Sequence, residues 1–254
     1  LNYERTMTQI PDVARMYAND KILLGITGTD IPLAESEDGS TVVFEVDGAL
    51  YSYNSISNKL AVVFSFYDDL NHDRRAMYDR HGIKILNVDE GGNISFAVYG
   101  YMNRGRHEGE VGIQVYTYSS SKNTIEGNIY IPYNKEYALL KPQMEKLLYL
   151  NKEQVLYLIL EDVIYSINLE EKTYYPLATI TQMDTAQISD RNWTVVWQDG
   201  EDVYHSKKLN LRNLSTGMQQ EIRVDSDEAI KPLGFIGEDI IYGVAWEEDI
   251  YREN

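Results

Sequence analysis

The sequence predicts an all-β protein built from repeated antiparallel units, and three observations support this prediction. There are 21 Tyr against 5 Phe and 3 Trp in 254 residues, and aromatic side chains suit a pleated, half-buried surface. Strand-like runs recur along the chain with a period of about fifty residues. Several of these runs are apolar at nearly every position, as expected for strands that are covered on both faces.

A hairpin pattern repeats four times along the chain. Each copy begins with a short run of alternating apolar and polar residues, passes through a polar turn and ends in a second strand-like run, which predicts a β-hairpin. The copies begin at Leu50, Val115, Ile164 and Leu209 and read LYSYNSISNKLAVVF, VYTYSSSKNTIEGNI, IYSINLEEKTYYPLA and LNLRNLSTGMQQEIR. These starts are 65, 49 and 45 residues apart. The longer first interval contains the extended polar segment 68–82.

Two further strand-like runs precede each of the last three hairpins, and another pair follows the fourth hairpin. The pairs are 83–88 with 94–102, 145–150 with 154–160, 185–189 with 193–198, and 232–236 with 239–246. We therefore predict repeat units at about 41–67, 83–131, 145–178, 185–224 and 232–246. Four short strands in a unit of about 45 to 50 residues are typical of a β-propeller blade.

Two turns strengthen that interpretation. The segments NLEEKT (168–173) and NLSTGM (213–218) resemble the exit from the third strand of a blade into the fourth in WD40-like and TolB-like propellers. The Trp-Asp and Gly-His pairs of those families are absent. The resemblance implies an all-β, β-propeller-like fold with about four to five four-stranded antiparallel blades. A β-sandwich or barrel with evenly spaced strands is the alternative.

We predict a single propeller domain over residues 1–254, a length that one all-β domain often reaches. Residues 1–40 fit the repeat poorly, since the run MTQIPDVARMYAND suggests a helical turn and GTDIPLAESEDGS an exposed loop. The fifth unit shows only two strands. Either the N-terminal stretch completes this unit, or the chain is a fragment of a larger propeller. The second option is favoured because residues 1–20 resemble neither missing strand closely.

Composition and motifs exclude several functions. A formal net charge of -17 argues against general affinity for nucleic acid or for an anionic membrane. The absence of Cys excludes disulfides, thiolate zinc sites and a cysteine nucleophile. No apolar run reaches the roughly 20 residues that span a bilayer. Because the metalloprotease, phosphate-loop and serine-elbow motifs are also absent, we expect no catalytic residue, no metal and no cofactor.

Basic residues cluster in two loops of the second unit. In an antiparallel blade, the loop between the second and third strands lies at the same face as the crossover that enters the first strand, so segments 102–109 and 67–82 should meet. The candidate ligand-binding residues are Arg74, Arg75, Arg80, His81, Tyr101, Asn103, Arg104, Arg106 and His107. Arginine offers a planar fork to carboxylates and phosphates, and tyrosine offers a stacking surface. In the alternative reading, the charges only pair with neighbouring acids on a solvated loop.

We interpret the chain as a non-catalytic binding or scaffold propeller that recognises a protein or a small anionic ligand through this face. A propeller glycoside hydrolase is one alternative, because such enzymes need paired carboxylates. Its candidate carboxylates near predicted strand ends are Asp30, Asp47, Asp89 and Glu161.

A carbohydrate-binding module is the other alternative. Trp193 and Trp197 lie four residues apart on one predicted strand, and with Trp246 they offer surfaces on which sugars stack. Core packing is the more frequent role of such tryptophans. The acidic, Tyr-rich and Cys-free composition favours a bacterial extracytoplasmic or cell-envelope location over the cytoplasm.

Overall fold

The computed structural model describes residues 31–46, 48–66, 80–180, 186–189, 191–198 and 204–250. The chain divides into two compact units, Leu1–Asn134 and Lys135–Asn254. Each unit consists mainly of antiparallel sheets whose strands follow one another in chain order. The helical turn expected within residues 7–20 lies outside the described residues.

The first unit contains two four-stranded sheets, and each is an antiparallel meander. The first sheet comprises β1 (Leu33–Glu35), β2 (Thr41–Val46), β3 (Ala49–Asn54) and β4 (Lys59–Ser65). The second sheet comprises β5 (His81–Val88), β6 (Ile94–Tyr101), β7 (Val111–Ser119) and β8 (Thr124–Pro132).

The described residues of the second unit form two four-stranded meanders, a two-stranded sheet and the α-helix α1 (Tyr137–Lys146). The first meander comprises β9 (Leu148–Leu150), β10 (Val155–Leu160), β11 (Val163–Asn168) and β12 (Thr173–Thr179). The second comprises β13 (Gln187–Ile188), β14 (Thr194–Gln198), β15 (Lys208–Asn213) and β16 (Gln219–Arg223). The two-stranded sheet comprises β17 (Glu228–Ile236) and β18 (Asp239–Trp246).

The sheets have the strand arrangement of β-propeller blades. Four of them have four strands joined in sequence order, and every strand pairs antiparallel with its neighbours. The predicted fold class, an all-β protein with four-stranded antiparallel blades, is therefore confirmed. That residues 1–254 form a single propeller domain stays a prediction.

The two sheets of the first unit share one hydrophobic core. Every residue of β6 from Ile94 to Gly100 is buried, as expected for an inner strand that is covered on both faces. Phe96 of this strand packs in one cluster with Leu50 and Phe64 of the first sheet. Burial of each such large apolar side chain contributes about 1.5 to 3 kcal/mol, so this cluster stabilises the contact between the sheets.

The second unit has its own core, to which the helix contributes. Tyr157 and Trp197, from neighbouring meanders, belong to one buried cluster. The helix buries Leu140 and Met144 completely, and these residues are four apart and so lie on one face of the helix. Pro142 lies inside the helix, where it has no N–H to donate.

The turns between the third and fourth strands of the first two sheets have the same construction. Asn58 and Asn123 adopt left-handed φ angles of 51° and 53°, which asparagine tolerates better than most residues. The hydroxyl groups of Tyr53 and Tyr118 donate to the Oδ1 atoms of these asparagines at 2.8 and 2.9 Å. The first two repeat units thus share an equivalent Tyr–Asn hydrogen bond.

The structure corrects three local predictions. The strand predicted at 145–150 begins only at Leu148, because Glu145 and Lys146 are the last residues of α1. The loop predicted at 28–40 contains a short strand, β1, which pairs with β2. Trp193 precedes β14 instead of lying within it, so Trp193 and Trp197 do not share a strand.

Candidate functional site

The loop between β6 and β7, residues 102–110, forms a closed tip at one end of the second sheet. The backbone N–H of Met102 donates to the carbonyl of Glu110, and the N–H of Gly109 donates to the carbonyl of Met102, both at 2.9 Å. Between them, Gly105–His107 form a turn of 3-10 helix. Gly105 and Gly109 have φ angles of +77° and +89°, which L side chains rarely adopt, so glycine suits both positions.

Arg80 and His81 lie beside the base of the tip. The backbone N–H of Tyr101 donates to the carbonyl of Arg80 at 2.8 Å, and His81 is the cross-strand partner of Gly100. The imidazole of His81 stacks on the ring of Phe66, with centroids 3.5 Å apart. The structure therefore brings the end of the crossover and the tip to the same end of the sheet. The other predicted crossover residues, Arg74 and Arg75, lie outside the described residues.

Asn103 and Arg104 connect the tip to the first sheet. The buried Asn103 donates from Nδ2 to the carbonyl of Phe66 at 3.1 Å. Arg104 donates from Nη2 to the carbonyl of Ser65, and its guanidinium lies 5.0 Å from the ring centroid of Phe64. Ser65 and Phe66 lie at the C-terminal end of β4, so the side chains of Asn103 and Arg104 hold the tip against the first sheet.

His107, Glu110 and Tyr130 form a second contact at the tip. The imidazole of His107 stacks on Tyr130 with centroids 3.7 Å apart, and its Nδ1 lies 3.0 Å from Oε2 of Glu110. Burial, followed by the hydrogen bond and the negative charge of Glu110, raises the pKa of Tyr130 from 10.0 to about 12. The phenol is therefore protonated at neutral pH, and its hydroxyl donates to the carbonyl of Val111 at 3.2 Å.

Two glycines near this end of the sheet lie beneath tyrosine rings. A Cβ atom at Gly82 would lie 2.5 Å from Cζ of Tyr99. A Cβ atom at Gly112 would lie 2.6 Å from Cζ of Tyr130 and 2.6 Å from the carbonyl oxygen of Ile131. Glycine at both positions lets the rings fold flat over the backbone, and the Tyr130 ring so placed supports His107.

The predicted site residues thus have different roles. Asn103, Arg104 and His107 are held by contacts within the protein, and Tyr101 is half-buried. Arg106 is exposed at the tip, and within the described part of the chain it makes no ion pair. Arg80 is also exposed, at the base of the tip. The exposed guanidinium of Arg106 is available to a partner, whereas Asn103 and Arg104 position the loop that presents it.

The two described candidate carboxylates of the hydrolase alternative have local partners. Asp89 accepts from the backbone N–H and from Nδ2 of Asn93 at 2.8 and 2.9 Å, which fixes a tight turn. Glu161 lies in the turn between β10 and β11, and its Oε1 is 2.8 Å from Nζ of Lys135. The other two candidates, Asp30 and Asp47, lie outside the described residues. In the described ranges, no group of three or more His, Asp or Glu side chains is placed to hold a metal ion.

The tryptophans of the carbohydrate-binding alternative do not form a pair. Trp197 is buried in the core of the second unit. Trp193 is 38% exposed, and the Arg191 guanidinium lies 5.2 Å from its ring centroid. Trp246 ends β18 and is exposed. The placement of Trp193 and Trp197 on one strand is therefore wrong, and Trp197 has the core-packing role that is the more frequent one for such tryptophans.

A cavity of about 220 Å³ lies at the opposite end of the two sheets of the first unit. Its lining residues come from β2 to β4 with the turn between β3 and β4, and from β7 and two turns of the second sheet: Thr41, Ser52, Asn54, Ser57, Lys59, Ala61, Gly91, Gly92, Tyr118 and Ser120. Our sequence reasoning did not identify these residues. The available signal was the alternation of Ser52 and Asn54 with Tyr51 and Tyr53 on β3, where small polar side chains face one side of a buried strand.

Comparison with solved structures gives matches to several β-rich proteins. Dipeptidyl peptidase 4 of Porphyromonas gingivalis is 14% identical, with 81% of this chain and 34% of that chain covered and a TM-score of 0.38. The WD40 domain of SCAP from fission yeast is 8% identical, with 84% and 51% covered and a TM-score of 0.39. An oligogalacturonate lyase in complex with manganese is 11% identical, with 85% and 76% covered and a TM-score of 0.34.

The chain spans about a third of the length of the peptidase and about half of the length of the WD40 chain. No protein-family model matches the sequence, and no curated protein matches it. The assignment of propeller-type blades rests on the strand order of the sheets. Across the described residues, no helix combines the length and the hydropathy needed to cross a membrane.

Proposed function

We propose that this β-propeller-type protein is a non-catalytic binding module that recognises an acidic protein surface through the tip formed by residues 102–110. The observation that carries the proposal is the display of Arg106 on a loop that is fastened on both sides. Asn103 and Arg104 hold the loop to the first sheet, and His107 holds it to Tyr130.

A fastened loop favours binding because little conformational freedom is lost when a partner docks. Ordering a flexible side chain or loop at an interface costs free energy, and preorganisation removes part of that cost. Arg106 adds a planar fork of donors, which matches a carboxylate in two hydrogen bonds. Because the net charge of -17 repels an acidic partner from the average surface, its approach needs a local cation such as Arg106.

The shape of the tip favours a protein partner over a small molecule. Gly105, Arg106, Glu108 and Gly109 are all exposed, so the loop presents a solvent-exposed surface. Small ligands bind in concave sites that bury most of their surface, whereas an exposed loop contacts a second surface. Glu108 beside Arg106 adds specificity, because it disfavours a partner that is acidic at every contact.

The proposal assigns Asn103 and Arg104 as positioning residues and Arg106 as the contact residue. Arg74, Arg75 and Arg80 remain candidate contacts from the sequence. A labelled peptide of alternating Glu and Ser residues serves as the acidic probe, and fluorescence anisotropy measures its affinity at low and at physiological salt. We expect Arg106→Ala to weaken binding about three- to tenfold at low salt, with a smaller effect at higher salt.

Lys122→Ala provides the matched control, because Lys122 is an exposed cation at the opposite end of the same sheet. Its affinity for the peptide should equal that of the unsubstituted protein. Equal losses in the Arg106 and Lys122 variants would show that only total charge matters and would overturn the proposal. Circular dichroism and the midpoint of thermal unfolding confirm that both variants fold.

We also propose an extracytoplasmic location for the natural protein, supported by its Cys-free, acidic composition. Fractionation of cells that express the full gene, followed by immunodetection with an antibody to this chain, tests it. Recovery in the cell envelope or the exported fraction is expected. Recovery only with cytoplasmic marker proteins would contradict the proposal.

A further inference from the structure

The cavity of the first unit lies where the two sheets separate, away from the tip. On the first sheet, Ser52 pairs with Ala61 and Asn54 pairs with Lys59 across β3 and β4. Directly paired residues point to the same face, so these four side chains face the second sheet together. Small side chains at Ser52 and Ala61 leave space there, and Gly91 and Gly92 on the second sheet do not fill it.

The cavity wall is rich in hydroxyl and amide groups. Asn54 donates from Nδ2 to Oγ1 of Thr41 at 3.1 Å, and Ser57 donates from Oγ to Oδ1 of Asn54 at 2.9 Å. Ser120 donates from Oγ to the carbonyl of Gly91 at 2.6 Å. These bonds fix the orientation of the side chains and leave hydroxyl lone pairs, the Thr41 hydroxyl hydrogen and one amide hydrogen to pair with a ligand.

The charge of the wall points to an anionic ligand. All ten lining residues lie in the described part of the chain, and none of them is acidic. Lys59 is the one lining residue with a formal charge. This composition contrasts with the whole chain, in which 40 Asp and Glu outnumber 23 Lys and Arg. A lining without acidic residues and with one lysine favours a bound molecule that carries one negative charge.

Size and apolar surface restrict the ligand further. The volume of about 220 Å³ is smaller than that of sites for drug-sized ligands, which begin at about 300 Å³. The buried ring of Tyr118 contributes to the wall, and its hydroxyl is held by Asn123 at 2.9 Å. A compact ring with several hydroxyl groups and one anionic group matches this combination of aromatic surface, hydroxyl partners and a single cation.

We propose that this cavity binds a monosaccharide that carries one carboxylate or phosphate group. Ser52, Asn54 and Ser120 pair with the sugar hydroxyls, and Lys59 pairs with the anionic group. The site is separate from the tip, so its ligand and the acidic protein partner bind at opposite ends of the same two sheets.

Isothermal titration calorimetry with four probes tests the proposal: glucuronate, glucose 6-phosphate, glucose and inorganic phosphate. We expect glucuronate or glucose 6-phosphate to bind at millimolar concentration or more tightly, and which of the two binds identifies the anionic group. Glucose and inorganic phosphate should each bind about tenfold more weakly, because each lacks one half of the recognition chemistry. Absence of binding by both charged sugars overturns the proposal.

Variants then locate the site. Lys59→Met keeps most of the side-chain length and should weaken binding of the charged sugar about tenfold, while Ser52→Ala removes one hydroxyl with little change in volume and should weaken it about threefold. Lys122→Met, an exposed cation in a turn at the same end, should leave the affinity unchanged. Equal affinity of glucose and the charged sugar, or equal losses at Lys59 and Lys122, would overturn the assignment of Lys59. Chemical-shift changes confined to β2 to β4 and the facing turns confirm the location independently of affinity.

Discussion

The two ends of the second sheet are built differently. At the tip end, the side chain of Asn103 crosses to the first sheet and donates to the carbonyl of Phe66. At the opposite end, the turn residues bond within their own sheet: the N–H of Ser120 donates to Oδ1 of Asn93 at 3.1 Å, and its hydroxyl donates to Gly91. Hydrogen bonds thus connect the sheets at one end, and a cavity separates them at the other.

This difference shows how a pair of packed sheets can combine stability with an open site. The shared core around Phe96 and the bonds at the tip end hold the sheets together. The turns at the cavity end form these hydrogen bonds within their own sheet, so these polar groups do not depend on the other sheet. Substitutions at the tip end should therefore change stability, whereas substitutions at the cavity end should change ligand affinity more than stability.

The largest effect is expected for Gly112→Ala at the tip end. The new Cβ atom would lie 2.6 Å from the carbonyl oxygen of Ile131, and a backbone oxygen cannot move aside as a side chain does. We expect the free energy of unfolding to fall by about 3 kcal/mol in urea denaturation. Gly127→Ala, on β8, is the matched control, since its Cβ would lie 3.2 Å from the Gln114 side chain and 3.8 Å from that of Tyr116, and should cost less than about 1 kcal/mol. Similar losses for both variants would contradict the tight packing at Gly112.

The second largest effect on stability is expected for Asn103→Ala at the tip end, and Asn93→Ala at the cavity end is its comparison. Asn103→Ala leaves the buried carbonyl of Phe66 without this donor and should lower the free energy of unfolding by about 2 kcal/mol. Asn93→Ala removes bonds from a partly exposed turn, where water replaces them, and should lower it by about 1 kcal/mol. Urea denaturation of both variants measures the difference. A larger loss of unfolding free energy for Asn93→Ala than for Asn103→Ala would contradict the inference that hydrogen bonds hold the two sheets together at the tip end.

The smallest effect concerns alkaline pH and Tyr130. Its pKa in the folded protein is raised to about 12, above the ordinary value of 10.0 expected in the unfolded chain. The protonated phenol is therefore favoured by folding, so this contribution is fully present below pH 10 and is lost as pH rises toward about 12. Tyr130→Phe should reduce the loss of stability over this interval, as measured by thermal unfolding at a series of pH values. An unchanged pH dependence in the variant would show that ionisation of Tyr130 does not cause the loss of stability at alkaline pH.

The fold was predictable where burial on both faces produces an apolar run. The predicted strand 239–246 agrees with the bounds of β18, and the core of β6 was also located. Short strands were harder to recognise, because β1 and β13 have three and two residues and cannot show an alternating pattern. The helix α1 was not predicted, since Pro142 at its centre is a strong signal against a helix.

The candidate site was predictable in residue type but not in residue role. The sequence locates Arg104 and Arg106 in one turn. Arg104 positions the loop, whereas Arg106 is exposed, because Arg104 donates to the carbonyl of Ser65, 39 residues earlier in the chain. A contact of that separation leaves no periodic signal. The cavity was not predicted for a related reason: it results from small side chains at Ser52 and Ala61, and hydrophobic patterns record where side-chain volume is present.

The tyrosine rings above Gly82 and Gly112 have a consequence for how this sequence changes during evolution. Any side chain at either glycine would collide with the ring above it, and a smaller residue at Tyr99 or Tyr130 would leave an empty space over the glycine. Neither member of a pair can change alone without loss. Positions 82 and 99, and positions 112 and 130, should therefore vary together among homologous sequences, with a compensated exchange of volume in each pair.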